Sequence, residues 1–409
     1  MSAVVTADDL LATLVATAAG QADPFPLYRR LHELGPLHRS GRDRVWYAVG
    51  YDVCRQVLTE KRAGRTPEMM NRRLAVTAAQ AHRFEQRGRR PSMINHNAPV
   101  HTRLRHAARE PFLPRPLADL GSRIEPLVDE RLDHLAALGT ADVMAELAFP
   151  LPIAVIGELL GVPDADRAGF RPLVWSMTAA DEPGADEATV IAAEQAAATV
   201  DDYFVALIAD RRRHPGPDLL TQLVEARDRG DLSDEELLAT VTLVFTAGFV
   251  TTTNLIGNGL LALLRHPGQL ARLAADPSLL APAVEEMLRY DSPVQMIGRG
   301  VLEPFLLDGQ GVEPGETIMV GLGAANRDPG VYTDPDAFDV GRREAQPLSF
   351  GFGIHHCLGA GLARLEGQLV FSRLLRRFSM ELLDDDPPRA PGFFGRRLAR
   401  LAVQFLPRP

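Results

Sequence analysis

The hydrophobic positions of this chain repeat with a helical period over most of its length. From residue 116 to residue 288 nearly every segment carries a helical pattern, which predicts a succession of helices. Shorter segments of β type predict strands at residues 45–49 and between residues 294 and 339, where turn signals such as Glu313-Pro314-Gly315 separate them. The pattern therefore predicts a mainly α-helical protein with a small β subdomain.

One predicted helix has no charged residue between residues 237 and 264. Its length and hydropathy satisfy what a membrane-spanning helix requires. Its threonines, asparagines and glycines would be costly in contact with lipid, and Ser233 with Glu236 forms a capping box at its start, with Pro267 after its end. We therefore favour a buried central helix over a membrane span, because a helix that is apolar on all sides and capped in water is typical of a protein core.

The composition narrows the class of protein. The chain has 409 residues, of which 46% are hydrophobic, and its formal net charge is −9. This balance gives no support for nucleic-acid binding as the main role. The two cysteines lie far apart, which argues against a disulfide framework and for a cytoplasmic location. Residues 1–20 hold Asp8 and Asp9 and lack a basic segment, so they do not predict a signal peptide.

The strongest candidate for chemistry is Cys357, which lies in a glycine-rich segment at residues 350–359. Glycines allow the backbone to bend sharply and to approach a flat ligand closely. A helical pattern begins after Gly359, so the cysteine would lie just ahead of a helix N-terminus, where a thiolate is favoured over a thiol. Taken alone, the feature is more often a cysteine buried in a turn. A zinc site is a weaker alternative, because Cys54 lies in a separate segment and no nearby pair completes a tetrahedral set.

The order of residues in this segment decides between these alternatives. The run FGFGIHHCLG resembles, position for position, the haem-ligand loop of the cytochrome P-450 family, Phe-Gly-x-Gly-x-His-x-Cys-x-Gly. The resemblance implies that Cys357 ligates the iron of heme b, and that its electron donation favours O–O cleavage. It also implies that Phe350, Gly351, His355 and Gly359 contact the cofactor.

The resemblance covers essentially the whole chain through five motifs in the family's order. It implies the cytochrome P-450 fold, a single triangular domain at residues 1–409 with a long central helix over the haem, of the soluble bacterial branch. It further implies a monooxygenase that uses O2, a lipophilic small molecule, and electrons from NAD(P)H through a ferredoxin reductase and a ferredoxin. Neither nucleic acid nor a membrane is expected as a partner. Arginines that could form a basic docking patch are Arg103, Arg109, Arg115, Arg343 and Arg364.

Basic side chains in three segments match the family's contacts to the haem propionates. His101 and Arg105 are four residues apart, which places them on one helix face. Arg299 and His355 match the groups that contact the propionates from the β subdomain and from the cysteine loop. A basic helix face on its own is as often simply solvated, so the role of these four residues comes from the resemblance.

The central helix carries the run AGFVTT, which resembles the family's Ala/Gly-Gly-x-Asp/Glu-Thr. The resemblance implies that Ala247 and Gly248 form a groove for O2 and that Thr251, with Thr252 beside it, helps to deliver protons. Without that context, the glycine would indicate close packing of another element. Val250 replaces the family's acid, and valine cannot relay a proton, which puts the usual proton path in doubt.

Glu286 and Arg289 resemble the family's Glu-x-x-Arg pair in their place after the central helix. Such a pair carries little meaning by itself, because acid and arginine three residues apart are common on helices. The resemblance implies a buried network with a downstream arginine, which we expect to be Arg327. Its role would be to hold the β subdomain and the cysteine loop in register.

Substrate contacts are expected from the segments that the family uses for this purpose. Most of these residues are apolar, which predicts a lipophilic substrate with few polar groups, such as a macrolide or another polyketide secondary metabolite. They are Ser92, Met93, Ile94, Leu243, Thr246, Ala247, Val250, Gln295, Met296, Ile297, Phe393 and Phe394.

Two other functions stay open. Val250 motivates a haem-thiolate enzyme with atypical chemistry, for example a cyclase, an isomerase or a peroxide-dependent enzyme. The second is a non-catalytic recruitment module of the same fold. Intact Cys357, His355 and Arg299 argue against that second function, since a scaffold has no need for a haem cradle.

Overall fold

The computed structural model describes residues 5–41, 45–65, 77–390 and 392–408, and helices make up most of it. They follow the predicted succession through the middle of the chain. In chain order the α-helices are α1 (Ala7–Ala16), α2 (Ala18–Ala22), α3 (Phe25–Leu34), α4 (Tyr51–Thr59), α5 (Ala78–Arg89), α6 (Val100–Ala108), α7 (Pro114–Leu138), α8 (Pro150–Leu160), α9 (Asp164–Arg167), α10 (Phe170–Ala179), α11 (Glu187–Arg213), α12 (Leu219–Asp228), α13 (Asp234–Arg265), α14 (Pro267–Ala275), α15 (Leu280–Tyr290), α16 (Leu322–Ala325) and α17 (Ala360–Arg377).

Short strands form small sheets at the edge of this helical body. They are β1 (Leu37–Arg39), β2 (Trp46–Ala48), β3 (Ala63–Gly64), β4 (Thr140–Asp142), β5 (Met296–Val301), β6 (Phe305–Leu307), β7 (Gln310–Val312), β8 (Thr317–Gly321), β9 (Phe378–Leu382), β10 (Arg389–Ala390), β11 (Arg397–Leu398) and β12 (Ala402–Pro407). The largest sheet has the order β1-β2-β8-β5-β3, with β2 and β8 parallel and its other neighbours antiparallel. Strands β4, β12 and β9 form a three-stranded sheet.

The hydrophobic core divides between the helices and the largest sheet. The larger cluster takes buried side chains from α7, α8, α13, α15 and α17. A second cluster packs the sheet against α4 through residues such as Trp46, Val57, Ile318 and Val320. The predicted mainly α-helical architecture with a small β subdomain is confirmed.

Helix α13 passes through the middle of the larger cluster. Its start is capped as predicted, because the Ser233 hydroxyl accepts from the Glu236 amide at 3.1 Å and the Glu236 carboxylate accepts from the Ser233 amide at 2.9 Å. By length and composition the helix could cross a membrane, but 67% of its most apolar window is buried inside the protein. That burial is what a core helix shows.

Close helix packing explains the glycine in the middle of α13. A Cβ at Gly248 would lie 2.6 Å from Cδ1 of Ile156 in α8, closer than two carbon atoms approach. A Cβ at Gly259 would likewise lie 2.8 Å from Sδ of Met287 in α15. The glycines let α8 and α15 pack directly on the α13 backbone. Close packing of another element is what a glycine inside a helix indicates without the family context.

A buried ion-pair network ties α15 to the segment that precedes the cysteine loop. Nε of Arg289 donates to Oε2 of Glu286 at 2.6 Å, and both side chains are 1% exposed. Arg289 also donates to the carbonyls of Asn326 and Pro335 at 2.9 and 2.7 Å. The downstream arginine that reaches Glu286 is Arg342, whose Nε lies 3.2 Å from Oε2.

The expectation that Arg327 completes this network is wrong. Its Nε and Nη2 donate to the Tyr290 carbonyl at 3.1 and 2.5 Å, and its Nη1 donates to Asp336 at 2.7 Å. Its guanidinium also lies 4.1 Å from the centroid of the Phe25 ring. These partners orient Arg327 toward α3 and away from Glu286. Arg342 is therefore the downstream arginine that contacts the Glu286 and Arg289 pair.

We expect Glu286→Gln to lower the free energy of unfolding by about 3–5 kcal/mol, because it leaves the buried Arg289 guanidinium without its counter-charge. Urea unfolding followed by circular dichroism measures the difference. The matched control is Glu381→Gln at an exposed position of β9, which should change the free energy of unfolding by about 0.5 kcal/mol or less. Equal losses in the two variants would contradict a stabilising role for the buried network.

Candidate active site

The cysteine loop depends on two glycines with left-handed backbone. Gly351 has φ 66° and Gly353 has φ 71°, which side-chain-bearing residues rarely adopt. A Cβ at Gly353 would also lie 2.3 Å from the carbonyl oxygen of Leu58 in α4. The turn closes where the Cys357 amide donates to the Phe350 carbonyl at 2.9 Å, and α17 begins directly after Gly359. The loop therefore holds Cys357 at the start of a long helix, as predicted.

The Cys357 side chain is exposed, yet its protein surroundings do not favour a free thiolate. Neighbouring atoms shield the Cys357 thiol from water, and this burial raises its pKa. The Gly359 amide and the guanidinium groups of Arg105 and Arg364 lower the pKa by a smaller amount. A bound metal would deprotonate this thiol outright.

Cys54, the second cysteine, lies in a different part of the molecule. It is buried in the sheet cluster, where its Sγ donates to the Ala48 carbonyl at 3.2 Å. Burial raises the pKa of the Cys54 thiol strongly. Cys54 therefore has the environment of a core residue, and Cys357 is the cysteine with an accessible sulfur.

The four predicted propionate partners come together beside the cysteine loop. The ring centroids of His101 and His355 are 4.4 Å apart. Neither ring nitrogen of His101 nor Nε2 of His355 has a hydrogen-bond partner within the described ranges. Arg299 is 3% exposed and donates to the adjacent Gly298 carbonyl, and no carboxylate of the described residues pairs with it or with Arg105. These basic groups therefore lie together without an acidic partner among residues 5–41, 45–65, 77–390 and 392–408.

The pKa values of the basic groups in this cluster are lowered. Burial and the neighbouring Arg299 lower the pKa of His355 to about 2. Burial lowers the pKa of Arg299 to about 10, and burial with the nearby Arg105 lowers the pKa of His101. Buried charges need partners, so a ligand with two carboxylates would satisfy these groups. The haem that the cysteine loop implies carries two propionates, and the residues present fit it.

Sequence reasoning missed one member of this cluster, Arg65. Nη1 of Arg65 donates to the carbonyl of Gly298, the residue before Arg299, at 3.4 Å, and burial with the charge of Arg299 lowers the pKa of Arg65 well below its usual value. Asn97 positions it, because its side chain accepts from the Arg65 amide at 2.8 Å and donates to the Arg65 carbonyl at 2.8 Å. This pairing gives Asn97 a structural role. No local pattern marks Arg65, since its partners come from other elements.

One stripe of the buried helix α13 remains accessible. Leu243, Thr246, Ala247, Val250 and Thr251 are half-buried or exposed, and their spacing of three and four residues places them on one face. Thr251 Oγ1 donates to the Ala247 carbonyl at 3.2 Å. This face is where the resemblance places the oxygen groove, and Val250 presents an alkyl group there.

Thr252 does not share this face. It is 2% exposed, and its hydroxyl donates to the Gly248 carbonyl at 3.3 Å. One residue further along a helix turns the side chain by about 100°, which directs Thr252 into the core. The expectation that Thr252 assists Thr251 is therefore not supported by its position.

A cavity of about 680 Å³ adjoins this stripe. Seven of the predicted substrate contacts line it, namely Ser92, Ile94, Leu243, Thr246, Met296, Ile297 and Phe394. Val250 lies on the accessible stripe but packs against the hydrophobic core.

Two predicted contacts are wrong. Gln295 is 2% exposed, and its side-chain oxygen accepts from the Tyr28 hydroxyl at 3.0 Å. Phe393 is 3% exposed and packs with Tyr28 in a third hydrophobic cluster, while the adjacent Phe394 lines the cavity. Both errors reflect side-chain direction, because neighbouring positions of an extended or turning segment face different sides.

The cavity wall is more polar than the sequence suggested. Arg83 pairs with Glu194, and Arg87 pairs with Asp181. All four of these side chains line the cavity together with the apolar residues. The prediction of a mostly apolar pocket therefore holds only for the side that includes Leu243 and Ile297.

Comparison with known proteins identifies the family. Residues 187–400 match the family model described as Cytochrome P450. The chain is 42% identical over 374 residues to cytochrome P450 monooxygenase PikC of Streptomyces venezuelae, covering 90% of this chain and 86% of PikC. It is 37% identical to the polyketide biosynthesis cytochrome P450 PksS of Bacillus subtilis, covering 93% and 95%. The fold matches P450BioI, solved in complex with a hexadec-9Z-enoic acid ligated acyl carrier protein, with TM-score 0.86, 34% identity, and 95% and 100% coverage. The chain belongs to the cytochrome P450 family.

Membership in the cytochrome P450 family confirms the predicted fold and the enzyme class. The named relatives include monooxygenases at up to 42% identity over most of the chain. The family implies a haem, O2 and redox partners. The residues described above now have a defined context, because the basic cluster and Cys357 are parts of one candidate haem site.

The predicted basic patch of this P450 is partly neutralised. Arg103 pairs with Glu236 at 2.5 Å, and Arg364 pairs with Glu285 at 2.5 Å. No carboxylate of the described residues pairs with Arg109, Arg115 or Arg343. These three arginines are the ones whose charge stays available to a partner protein.

We expect Arg299→Leu to reduce the haem content of the purified P450 and to speed haem loss to apomyoglobin. A buried carboxylate that loses its partner costs about 3–5 kcal/mol. Haem content follows from the haem-to-protein absorbance ratio. The control is Arg213→Leu, at a side chain that is 71% exposed, which should retain wild-type haem content. Equal haem content and equal loss rates in both variants would refute Arg299 as a propionate partner.

Proposed function

We propose that this P450 inserts one oxygen atom from O2 into a lipophilic secondary metabolite, by hydroxylation or epoxidation, with Cys357 as the iron ligand. The observation that carries the proposal is the buried basic cluster beside the cysteine loop. No carboxylate among the described residues pairs with His101, Arg105, Arg299 or His355, and the two propionates of a haem would supply the missing anions. A scaffold would have no reason to bear the cost of burying them, which argues against the recruitment module.

The proposal gives roles to three residues of the cysteine loop and to Arg299 on β5. Cys357 would hold the iron, and His355 with Arg299 would hold the propionates. Phe350 stacks under the guanidinium of Arg364 at 4.5 Å, which stiffens the loop on the cysteine side. The haem supplies the oxygen chemistry when bound, and thiolate ligation favours O–O cleavage. The protein's own part is to hold the cofactor, exclude water and position the substrate.

Thr251 is the residue that we assign to proton delivery. Its hydroxyl lies on the accessible stripe of α13 with Ala247. A hydroxyl can pass a proton to a bound ligand and receive another from water, so an acid is helpful but not obligatory. Since Val250 cannot provide that acid, we propose that water or a substrate hydroxyl completes the path.

The substrate that we propose is a polyketide such as a macrolide. The cavity of about 680 Å³ has room for a molecule of drug size. Relatives that cover most of the chain include the polyketide biosynthesis P450 PksS. Leu243, Ile297 and Ile94 would contact the apolar body of the substrate.

The partners that we propose are heme b and electrons from NAD(P)H through a ferredoxin reductase and a ferredoxin. Arg109, Arg115 and Arg343 would meet the acidic surface of the ferredoxin. We further propose that residues 1–409 act as one P450 domain in the cytoplasm.

A second candidate function is a haem-thiolate enzyme with atypical chemistry, such as a cyclase, an isomerase or a peroxide-dependent enzyme. Val250 on the accessible stripe favours it, because a reaction without proton delivery to O2 would not need the acid. The two candidates differ in whether product formation requires O2 and an electron donor.

We expect the reduced wild-type protein with carbon monoxide to show the red-shifted Soret band of thiolate ligation. Cys357→Ala should lose this band, because it removes the sulfur. The matched control is Cys54→Ala, which removes the buried cysteine of the sheet cluster and should keep the band. A colourless wild-type protein, or loss of the band in Cys54→Ala alone, would overturn the proposal.

We expect poor coupling of electron use to product formation in the wild type, because proton delivery by a positioned group is worth about 10²–10⁴-fold in rate. Hydrogen peroxide released per NAD(P)H consumed, with ferredoxin and reductase in excess, measures it. Val250→Glu should lower this ratio, and Thr251→Ala should raise it. A low ratio in wild type that Thr251→Ala leaves unchanged would show that protons take a different path.

A further inference from the structure

A second cavity, of about 480 Å³, lies at the C-terminal ends of α13 and α15. Among the described residues it shares no lining residue with the cavity of about 680 Å³, which we now call the substrate cavity. Its volume is within the range of about 300–1,000 Å³ that small-molecule sites occupy. The charged residues that line the second cavity are Asp23, Arg265, Asp291, Asp386, Arg389 and Arg396.

Two buried arginines on the wall of the second cavity share one carboxylate. Nη2 of Arg389 donates to Oδ2 of Asp291 at 2.9 Å, and Nε of Arg396 donates to Oδ1 at 2.6 Å. Each of the three side chains is 12% exposed or less. This buried group therefore carries one positive charge in excess, whereas buried charges are normally paired.

Both arginines keep a donor for a further partner. Nη1 of Arg389 donates to Oδ1 of Asn258 at 3.1 Å, and Nη1 of Arg396 donates to the Ala22 carbonyl. Nε of Arg389 and Nη2 of Arg396 make no hydrogen bond to any described residue, and neither atom is fully shielded from solvent. Guanidinium donors of this kind match the oxygens of a carboxylate or a phosphate.

The charges around these arginines favour an anionic ligand. Burial lowers the pKa of Arg389, and the charges of Arg396 and Arg265 lower it further, while the shared carboxylate acts in the opposite direction. Asp23 and Asp386 also line the cavity, but both are exposed, and water screens the charge of an exposed group. The excess charge of the buried part of the wall is therefore positive.

Apolar and aromatic side chains complete the wall beside the arginines. They are Phe25, Leu261, Tyr290, Pro387 and Pro388. This surface can cover the organic part of a ligand, while the arginines hold its acidic group. The wall therefore suits a small organic acid better than an inorganic ion alone.

One short chain segment links the two cavities. Arg396 lines the second cavity, and Phe394, two residues earlier, lines the substrate cavity. The Gln295 amide donates to the Phe394 carbonyl at 2.8 Å, and the Arg396 amide donates to the Pro293 carbonyl at 3.0 Å. A ligand held by Arg396 would restrain the same segment that presents Phe394 to the substrate.

We propose that the second cavity is an effector site for a small organic acid, with Arg389 and Arg396 binding its carboxylate or phosphate group. Occupation of this site changes the affinity of the substrate cavity through the segment that carries Phe394. By linkage, a ligand in the substrate cavity changes the affinity of the effector site by the same factor. Binding in the second cavity does not require the proposed haem function.

The binding test titrates the purified holoenzyme with benzoate and with phenyl phosphate, by isothermal titration calorimetry at constant ionic strength. Benzamide and benzyltrimethylammonium are the neutral and cationic comparison probes. We expect the two oxyanions to bind more tightly than either comparison probe, and their relative affinity tells a carboxylate site from a phosphate site. Arg389→Gln and Arg396→Gln should each weaken benzoate binding about tenfold to a hundredfold, because each removes a charge-assisted hydrogen bond.

Each of these two variants leaves Asp291 one arginine partner, so the buried carboxylate stays paired. Arg265→Gln, at a side chain that is 42% exposed, should weaken benzoate binding about twofold to fivefold. The matched control is Arg213→Gln, at a side chain that is 71% exposed, which should keep the wild-type affinity. Arg87→Gln, in the wall of the substrate cavity, should keep it too.

The coupling test measures the Kd of 4-phenylimidazole from the Soret shift, with and without saturating benzoate. We expect benzoate to change this Kd about fivefold or more in the wild type and to leave it unchanged in Arg396→Gln. An unchanged Kd in the wild type would overturn the effector role. Equal affinities for benzoate and benzamide, full benzoate affinity in Arg389→Gln and Arg396→Gln, or its loss in Arg87→Gln would overturn the site itself. Absence of any Soret shift would contradict the haem function, while the calorimetric titration would still decide whether the second cavity binds an acid.

Discussion

Burying a positive charge costs free energy unless an anion lies beside it, and this constraint organises the molecule around Cys357. Arg299 on β5, His101 and Arg105 on α6, and His355 on the cysteine loop converge from distant parts of the chain. Burial lowers the pKa of Arg299 and of Arg105, and burial together with neighbouring positive charges lowers the pKa of His101 and of His355. The two propionates of the haem that the family implies would offset this cost, so haem binding should stabilise the fold.

The elements that deliver these groups are themselves held by buried polar contacts. Strand β5 pairs with β8, which places Arg299 opposite Ile318, and α15 is tied to the segment before the cysteine loop by Glu286, Arg289 and Arg342. The loop in turn depends on Gly353, where the carbonyl of Leu58 leaves no room for a side chain. Helix packing, sheet register and loop conformation thus act together on one site.

The central helix combines packing and chemistry in adjacent residues. Gly248 serves the packing of Ile156, Thr252 faces the core, and Thr251 faces the accessible stripe. The helical period therefore places some residues of this motif in the packed core and others on the accessible stripe. Val250 fits this division, since an alkyl side chain is stable at the margin of the core.

The sequence by itself determined the helical architecture and the capped central helix, because helical periodicity and capping are local properties of the chain. Its resemblance to the P450 family supplied the roles of the cysteine loop and of the basic residues beside it. Only the tertiary structure decided which arginine reaches Glu286, that Arg65 joins the basic cluster, that Phe394 and not Phe393 lines the cavity, and that arginine–carboxylate pairs neutralise its wall. These features depend on side-chain direction and on partners far apart in the chain. Local patterns carry no information about which distant groups meet, because the packing of the whole fold brings them together.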